Sequence, residues 1–227
     1  MCGRFTLRTP ASELVEIFRL VRSFELSPRY NIAPTQPVAA VRESAEGRQL
    51  APLIWGLIPA WAEDARIGAR MINARSETAA TKPAFRDAFR RRRCLIPADG
   101  FYEWRKNGGR GKQPCLITLH NQRPFAFAGL WEHWERAGAA PIDSCTILTT
   151  ETNDLLRALH DRMPVILHRQ DYDRWLDVNA GTQELEPLLV PYPSGEMEFR
   201  EVGTYVNNAR NDGPDCVRPL GAGKSLF

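Results

Sequence analysis

Short apolar runs separated by glycine, proline and other turn residues recur along the chain, and this repetition constrains the fold more than any other feature. Each run is five to seven residues long, which is typical of a β-strand and too short for most helices. The glycine-rich segment between two of the runs, residues 106–111, predicts a hairpin. The predicted strands span residues 38–42, 50–55, 93–98, 100–105, 115–119, 125–130 and 144–150.

Fewer segments show helical spacing. Thr9 and Pro10 precede an apolar face and predict a helix that Thr9 caps, with Pro10 in its first turn. Phe85 and Phe89 predict a short helix whose arginine stripe, including Arg93, faces solvent. Further helices are predicted near residues 153–159, 172–178 and 183–189, and residues 29–35 are predicted to be irregular.

The order of these elements predicts the fold class. Strands and helices do not alternate regularly, which favours an α+β fold with a largely antiparallel sheet over a parallel α/β fold. No repeat, low-complexity linker or change of composition divides the chain, so we predict one domain over residues 1–227.

The charge distribution is uneven although the net charge is only +3. The segment from residue 66 to residue 112 contains thirteen lysines and arginines and only four acidic residues. Such a basic region suits a polyanion such as DNA, and it equally suits a solvated helix face. No run of apolar residues is long enough to span a membrane, and the first residues show no secretory signal, so we expect a cytoplasmic, DNA-associated protein.

The five cysteines and four histidines show no spacing typical of a metal site or a disulfide framework. We therefore expect no metal and no cofactor. Cys94, Cys115 and Cys145 lie within predicted strands and are interpreted as small buried apolar residues.

Cys2 is different because it follows the initiator methionine directly. Methionine is commonly removed before a small residue, which would leave cysteine at the amino terminus. The α-amine there has a pKa of about 8 and lies next to the thiol, so the two groups can capture one aldehyde as a five-membered thiazolidine ring. The alternative is that cysteine stands second by chance.

Six motifs and a tail resemble, in order, those of one protein family. The resemblance is to the SRAP (SOS response-associated peptidase) family of abasic-site-processing proteins. The motifs are MCGRF (residues 1–5), RYNIAP (29–34), WGLIPAW (55–61), INARSET (72–78), RCLIPADGFYEW (93–104) and LHDRMP (159–164), with the tail residues VNN (206–208) and NDGP (211–214).

The resemblance implies a mostly antiparallel pseudo-barrel core and a covalent thiazolidine link between Cys2 and an abasic site in single-stranded DNA. It also implies that Asn73, Glu103 and His160 complete the catalytic site. The residue types suit this chemistry, since histidine titrates near neutrality and a glutamate between aromatic residues has a raised pKa. Each has an ordinary alternative: a turn for Asn73, a solvent-facing strand position for Glu103 and a helix cap for His160.

Several residues are candidates for DNA contacts. Three arginines adjoin the proposed catalytic residues, three hydroxyl side chains can bind phosphate, and two residues in loops can stack on or wedge between bases. For Trp61 the alternative is core packing. The four arginines at positions 86 and 90–92 are expected only to widen the positive field, so they are not counted among the contacts. The candidates are Arg4, Pro34, Trp61, Arg75, Ser76, Thr149, Thr150 and Arg162.

Three functions remain open at this point. The first is an abasic-site sensor that crosslinks to single-stranded DNA and shields the lesion, with secondary lyase and autoproteolytic or self-release activity. The second is a cysteine peptidase in which Cys2 is the nucleophile and His160 the base. The third is a single-strand binder that never becomes covalent. We expect a monomer with no membrane partner.

Overall fold

The strands of the described residues pair into two sheets, one of eight strands and one of five. The computed structural model describes residues 2–106, 108–109 and 111–221. The hairpin predicted around residues 106–111 is present, since the strands Gly100–Lys106 and Lys112–Leu119 pair antiparallel, but Asn107 and Arg110 of its turn lie outside the described residues. The strands are β1 (Phe5–Leu7), β2 (Arg29–Ile32), β3 (Pro37–Ser44), β4 (Gly47–Trp55), β5 (Asn73–Arg75), β6 (Arg93–Ala98), β7 (Gly100–Lys106), β8 (Lys112–Leu119), β9 (Phe125–Trp134), β10 (Ile142–Glu151), β11 (Arg162–Pro164), β12 (Ile166–Leu167) and β13 (Met197–Glu201).

The larger sheet closes on itself. Pairing runs from β4 to β3, β6, β9 and β10, and β10 then pairs with β4 in parallel. Closure satisfies the backbone groups that an open sheet would leave at its edges. The predicted antiparallel α+β fold with a barrel-like core is therefore confirmed, with two parallel pairings, β10 to β4 and β10 to β5.

The smaller sheet places the start of the chain in the interior. Its order is β13–β8–β7–β1–β2, so β1 lies between two partners. Phe5 of β1 packs edge-on against Trp55 and Phe127 of the larger sheet, with ring centroids 5.2 and 5.7 Å apart. This aromatic contact between the two sheets fixes the first residues of the chain within the main core.

Short helices flank the sheets, and several sequence predictions about them need correction. Residues 153–159 form hydrogen-bonded turns and no helix, and residues 29–32 form β2 and are not irregular. The helices are α1 (Ala11–Phe18), α2 (Ser76–Ala79), α3 (Arg86–Arg91), α4 (Tyr172–Leu176) and α5 (Thr182–Leu185), with 3₁₀ turns at Ala65–Arg70, Arg169–Asp171, Glu186–Leu188, Ser194–Glu196, Thr204–Asn207 and Pro214–Val217.

Two side chains make tertiary contacts where the sequence predicted local roles. Pro10, not Thr9, is the N-cap of α1, because the Thr9 hydroxyl donates to Asp99, 2.5 Å away. Arg93 is 5% exposed and does not face solvent with the stripe on α3. In both cases a partner distant in sequence outweighs the local pattern. Cys94, Cys115 and Cys145 are buried, as predicted.

Within the described residues, no helix is both long and apolar enough to cross a membrane. The same residues contain no cluster of three histidine, cysteine, aspartate or glutamate side chains placed to hold a metal ion.

Candidate active site and DNA-binding surface

Cys2 lies in the core at the start of the smaller sheet. Phe5 pairs with Phe101 of β7, and the Tyr102 N–H donates to the Arg4 carbonyl at 2.9 Å. The preceding residues therefore continue alongside β7, which brings Cys2 close to Glu103. The Cys2 side chain is fully buried, and its Sγ lies 3.9 Å from the Arg4 carbonyl oxygen.

Asn73 holds the Cys2 backbone. Asn73 begins β5, which pairs in parallel with β10 opposite Ile147. Its Nδ2 donates to the Cys2 carbonyl at 2.8 Å. Its Oδ1 is buried and has no hydrogen-bond partner among the described residues. This oxygen is thus available to accept a hydrogen bond from an amine or from a sugar hydroxyl.

Glu103 lies on β7 and is 6% exposed. Burial raises the pKa of its carboxyl group, while the nearby charges of His160 and Lys112 act in the opposite direction. The direction matches the prediction from its aromatic neighbours. A carboxyl group with a raised pKa holds its proton closer to neutral pH and can donate it and take it back during a reaction.

The Cys2 thiol is neutral in this enclosed position. Burial raises its pKa well above the ordinary value, and the charge of Glu103 raises it further. A reaction that uses the sulfur must therefore remove its proton, and the electrostatic effect of Glu103 on the thiol shows that the two groups are close.

His160 follows the turn at residues 154–159 and is about one-third exposed at its side chain. Its Nδ1 lies 3.0 Å from the Arg162 backbone nitrogen and 2.8 Å from an Asp161 carboxylate oxygen. The first contact needs Nδ1 as an acceptor and the second needs Nδ1 to carry a hydrogen, so the two contacts belong to different tautomers of the ring. His160 acts electrostatically on Glu103, which acts on Cys2.

We predict that Glu103→Gln stabilises the fold while it removes the acid–base group. A carboxyl with a raised pKa contributes stability at low pH that is lost as pH rises through that pKa, because the folded protein then buries a charge. Gln avoids this cost, which at pH 8 amounts to roughly 1 kcal/mol, or about 2–4 °C in Tm.

Thermal unfolding at pH 5 and pH 8 tests this prediction. The gain of Glu103→Gln over the unaltered protein should be larger at pH 8, and the exposed Glu63→Gln should change little at either pH. A Tm at pH 8 that is equal to or lower than that of the unaltered protein would contradict it.

The arginine candidates differ in how they are held. The Arg4 guanidinium donates to Asn31 Oδ1 at 2.8 Å and to the Val206 carbonyl at 3.0 Å. Arg162 pairs with Glu77 and with the Thr149 carbonyl. Arg75 is exposed. The structure thus leaves Arg75 accessible, while Arg4 and Arg162 already have partners within the protein.

The other candidates also divide by exposure. Thr149 is buried and its hydroxyl lies 3.4 Å from the Ala74 carbonyl, which places it in the core and away from the surface. Ser76 and Thr150 line an open cavity of about 460 Å³. Trp61 is 55% exposed, so it is not a core residue, and Pro34 is half-buried at a turn.

Comparison with known proteins identifies the family. The sequence profile described as SOS response associated peptidase (SRAP) matches residues 1–209.

The chain belongs to the SRAP family.

Its relatives within the family bear names that refer to DNA lesions. The chain is 42% identical over 221 residues to the abasic site processing protein YoaM of Bacillus subtilis, covering 96% of this chain and 97% of YoaM. It is 30% identical to the abasic site processing protein HMCES of Gallus gallus, covering 89% of this chain and 69% of HMCES.

Solved structures share the SRAP fold. A crystal structure of a protein from Bacteroides thetaiotaomicron matches with a TM-score of 0.84 and 25% identity, covering 96% of this chain and all of that one. A crystal structure from Bordetella bronchiseptica matches with a TM-score of 0.77 and 30% identity, covering 89% of this chain and all of that one.

Two groups of residues that contact the candidate DNA-binding arginines Arg4 and Arg162 were not predicted from the sequence. The Asn31 amide donates to three carbonyls of the tail, those of Val206, Asn208 and Asn211, and Asp212 accepts the Asn31 N–H at 2.8 Å. The motifs at residues 29–34 and 206–214 contain these residues, but only the fold shows that they bind each other. Glu77, the partner of Arg162, lies within the INARSET motif without any separate signal.

Proposed function

We propose that this SRAP protein senses abasic sites in single-stranded DNA and captures them as a thiazolidine crosslink on Cys2 after Met1 is removed. The observation on which this mainly rests is the placement of Cys2, whose carbonyl is bound by Asn73 and whose thiol lies within the electrostatic influence of Glu103. The names of the curated relatives support an action on abasic sites.

The first step joins nitrogen to carbon. The neutral α-amine of Cys2 attacks C1′ of the ring-opened sugar, the aldehyde oxygen takes up one proton from the amine and one from an acid and leaves as water, and a protonated imine remains. The unpaired Oδ1 of Asn73 is placed to accept a hydrogen bond from the amine or the sugar hydroxyl. Protonated Glu103 supplies the proton for the departing water.

The second step closes the ring. The Cys2 sulfur bonds to the carbon of the protonated imine, and the carbon–nitrogen π electrons move to nitrogen, which keeps its hydrogen. Because burial keeps the thiol protonated, the Glu103 carboxylate left by the first step takes up the thiol proton and so returns to its acid form. No oxidant or reductant is required, and the only product released is water.

His160 acts before these steps in our proposal. An abasic sugar exists mainly as a closed hemiacetal, and opening it moves a proton from the C1′ hydroxyl while the ring oxygen gains one. An imidazole ring can both accept and donate a proton, and the Nδ1 of His160 has a donor and an acceptor within reach, which suits this transfer.

Two further activities follow from the same groups. The imine can lose a proton from C2′ and expel the 3′-phosphate, which cleaves the strand as a lyase does. Reversal of ring closure followed by hydrolysis of the imine would release the protein from DNA. We propose both as secondary to the crosslink, together with autoproteolytic removal of Met1.

Intact-mass measurement tests the proposal directly. The protein incubated with an abasic oligonucleotide should give a product, under denaturing conditions, whose mass equals the sum of the Met1-free protein and the oligonucleotide minus one water. An imine has the same mass, but it hydrolyses and is trapped by borohydride, whereas the thiazolidine persists without reduction. A DNA complex that dissociates completely on denaturation would refute the proposal.

An N-terminal extension distinguishes the crosslink from the peptidase alternative. We predict that a peptide fused ahead of Cys2, and not cleaved, abolishes the adduct because Cys2 then has no free α-amine. Binding to intact single-stranded DNA should change by less than about twofold, since phosphate contacts carry no dependence on that amine. A cysteine peptidase using Cys2 and His160 would still turn over peptides.

The same protein with the extension removed by a specific protease, leaving Cys2 first, serves as the control and should regain the adduct. Adduct formation by the extended protein would contradict the amine's role.

For binding, we propose a grip that does not depend on base sequence. Arg75 and Ser76 bind phosphates next to the catalytic residues, and exposed Trp61 stacks on or wedges between bases beside Pro34. Arg4 and Arg162 act there only if they exchange their present partners, and Thr149 only if its hydroxyl leaves the core. Thr150 is placed along the same cavity as Ser76.

A further inference from the structure

The Glu77 carboxylate is bound to the same two N–H groups of Arg162 that a DNA phosphate would need. The Arg162 NH1 donates to Glu77 Oε1 at 2.5 Å and its NH2 to Glu77 Oε2 at 2.8 Å, so the pair is bidentate. NH2 also donates to the Thr149 carbonyl at 2.6 Å. A phosphate uses the same fork of two parallel N–H groups as a carboxylate.

A phosphate cannot use another pair of N–H groups on Arg162 instead. The Arg162 Nε is buried, so the fork that includes Nε is closed to a ligand from solvent. The side chain as a whole is 14% exposed, whereas that of Glu77 is 49% exposed. The Glu77 side chain can therefore turn out into water. The Arg162 side chain starts from β11 and is held by its hydrogen bond to Thr149 of β10.

We infer that Glu77 competes with the DNA backbone for Arg162 and thereby weakens binding to strands that carry no lesion. This inference rests on the proposed function, in which Arg162 binds a phosphate beside the lesion. A weak grip on intact DNA suits a protein that secures damaged DNA by a covalent bond, because it lets the protein leave undamaged strands.

Glu77 has an alternative partner when it is displaced. The Arg162 hydrogen bonds are the main reason that the pKa of the Glu77 carboxyl is lowered, and the charge of Arg75 contributes as well. Arg75 lies two residues before Glu77 and is exposed. The carboxylate thus stays ionised near neutral pH and remains close to a second cation after a phosphate has taken its place.

Salt dependence gives the sharpest test. In the unaltered protein the displaced Glu77 carboxylate keeps its negative charge beside the bound phosphate, so Arg162 neutralises that phosphate only in part and few condensed cations leave the strand. In Glu77→Gln this charge is gone and Arg162 neutralises the phosphate fully, which steepens the slope of log K against log salt by about 0.7 for single strands. We expect binding to an intact oligothymidylate, followed by fluorescence anisotropy, to tighten about fivefold near 50 mM salt and about twofold near 200 mM.

Two further variants keep the result specific. Glu151 is exposed, lines the same cavity as Glu77 and lies opposite Arg162 in the β10–β11 pairing, while the Arg162 side chain bonds to Glu77 and Thr149. Glu151→Gln therefore measures the effect of removing one negative charge from this surface. Its gain should be smaller than that of Glu77→Gln. In an Arg162→Gln background, Glu77→Gln should give no more than the Glu151→Gln gain.

Equal gains in DNA affinity from Glu77→Gln and Glu151→Gln would overturn the inference. Weaker DNA binding by Glu77→Gln would also overturn it, because it would show that Glu77 orients Arg162 for DNA. Glu77→Asp, which keeps the charge but reaches the fork poorly, should be intermediate and covers the case in which Gln disturbs folding. Because an intact strand has no aldehyde, these results are independent of whether Cys2 forms a crosslink.

Discussion

Cys2→Ser is expected to lose the denaturation-resistant DNA adduct, with a decrease of at least about a hundredfold in adduct yield. A serine hydroxyl ionises far less readily than a thiol and does not close a stable ring on the imine carbon under these conditions. The variant keeps its α-amine once Met1 is removed, so an imine can still form, but it hydrolyses unless borohydride reduces it. Denaturing gel electrophoresis with and without borohydride measures both species.

Cys115→Ser provides a matched control. Cys115 is buried and lies directly opposite Glu103 in the β7–β8 pairing. The control therefore replaces a buried cysteine beside the proposed acid–base group without touching Cys2. It should retain the adduct. An unreduced, denaturation-resistant adduct formed by Cys2→Ser at the level of the unaltered protein would show that the sulfur is not required.

Arg93→Met is expected to destabilise the fold strongly while it leaves the proposed site intact. The Arg93 guanidinium donates to the carbonyls of Phe89 and Arg90 at the end of α3, and to those of Trp175 and Asp177 at the end of α4. Met fills similar space but leaves these helix ends without donors. We expect a loss of about 3–5 kcal/mol, or roughly 10 °C in Tm.

The conservative variant and a surface variant calibrate that loss. Arg93→Lys keeps a cation but has three donors on one nitrogen, so it should recover only part of the stability. Arg91→Met, at the exposed last residue of α3, should cost less than about 0.5 kcal/mol. Thermal or urea unfolding of Arg93→Met within about 1 kcal/mol of the unaltered protein would contradict the expectation.

The strands were more predictable than the helices for a physical reason. A strand such as β6 is signalled by its apolar run and by the turn residues beside it, and all of its side chains are buried. Residues 153–159 have helical spacing, yet the Asn153 side chain accepts the Leu156 N–H at 3.1 Å and also donates to the Tyr192 carbonyl at 2.7 Å. A side chain that competes for backbone groups in this way favours turns, and periodicity does not reveal it.

The candidate site depended on family resemblance more than on spacing. Cys2, Asn73, Glu103 and His160 are separated by dozens of residues, and each has an ordinary structural interpretation when taken alone. Their roles remain proposals. What the fold adds is the hydrogen bond from Asn73 to Cys2 and the electrostatic effects that link Cys2, Glu103 and His160.

The sequence by itself determined the strand-rich α+β class, the burial of the strand cysteines and the family, because these depend on local patterns of apolar and turn residues and on ordered motifs. Only the tertiary structure decided that β10 closes the barrel against β4, that Arg93 binds the ends of two helices, and that Glu77 forms an ion pair with Arg162. Pairings between distant segments depend on which surfaces meet when the sheets pack, and local pattern does not encode that choice.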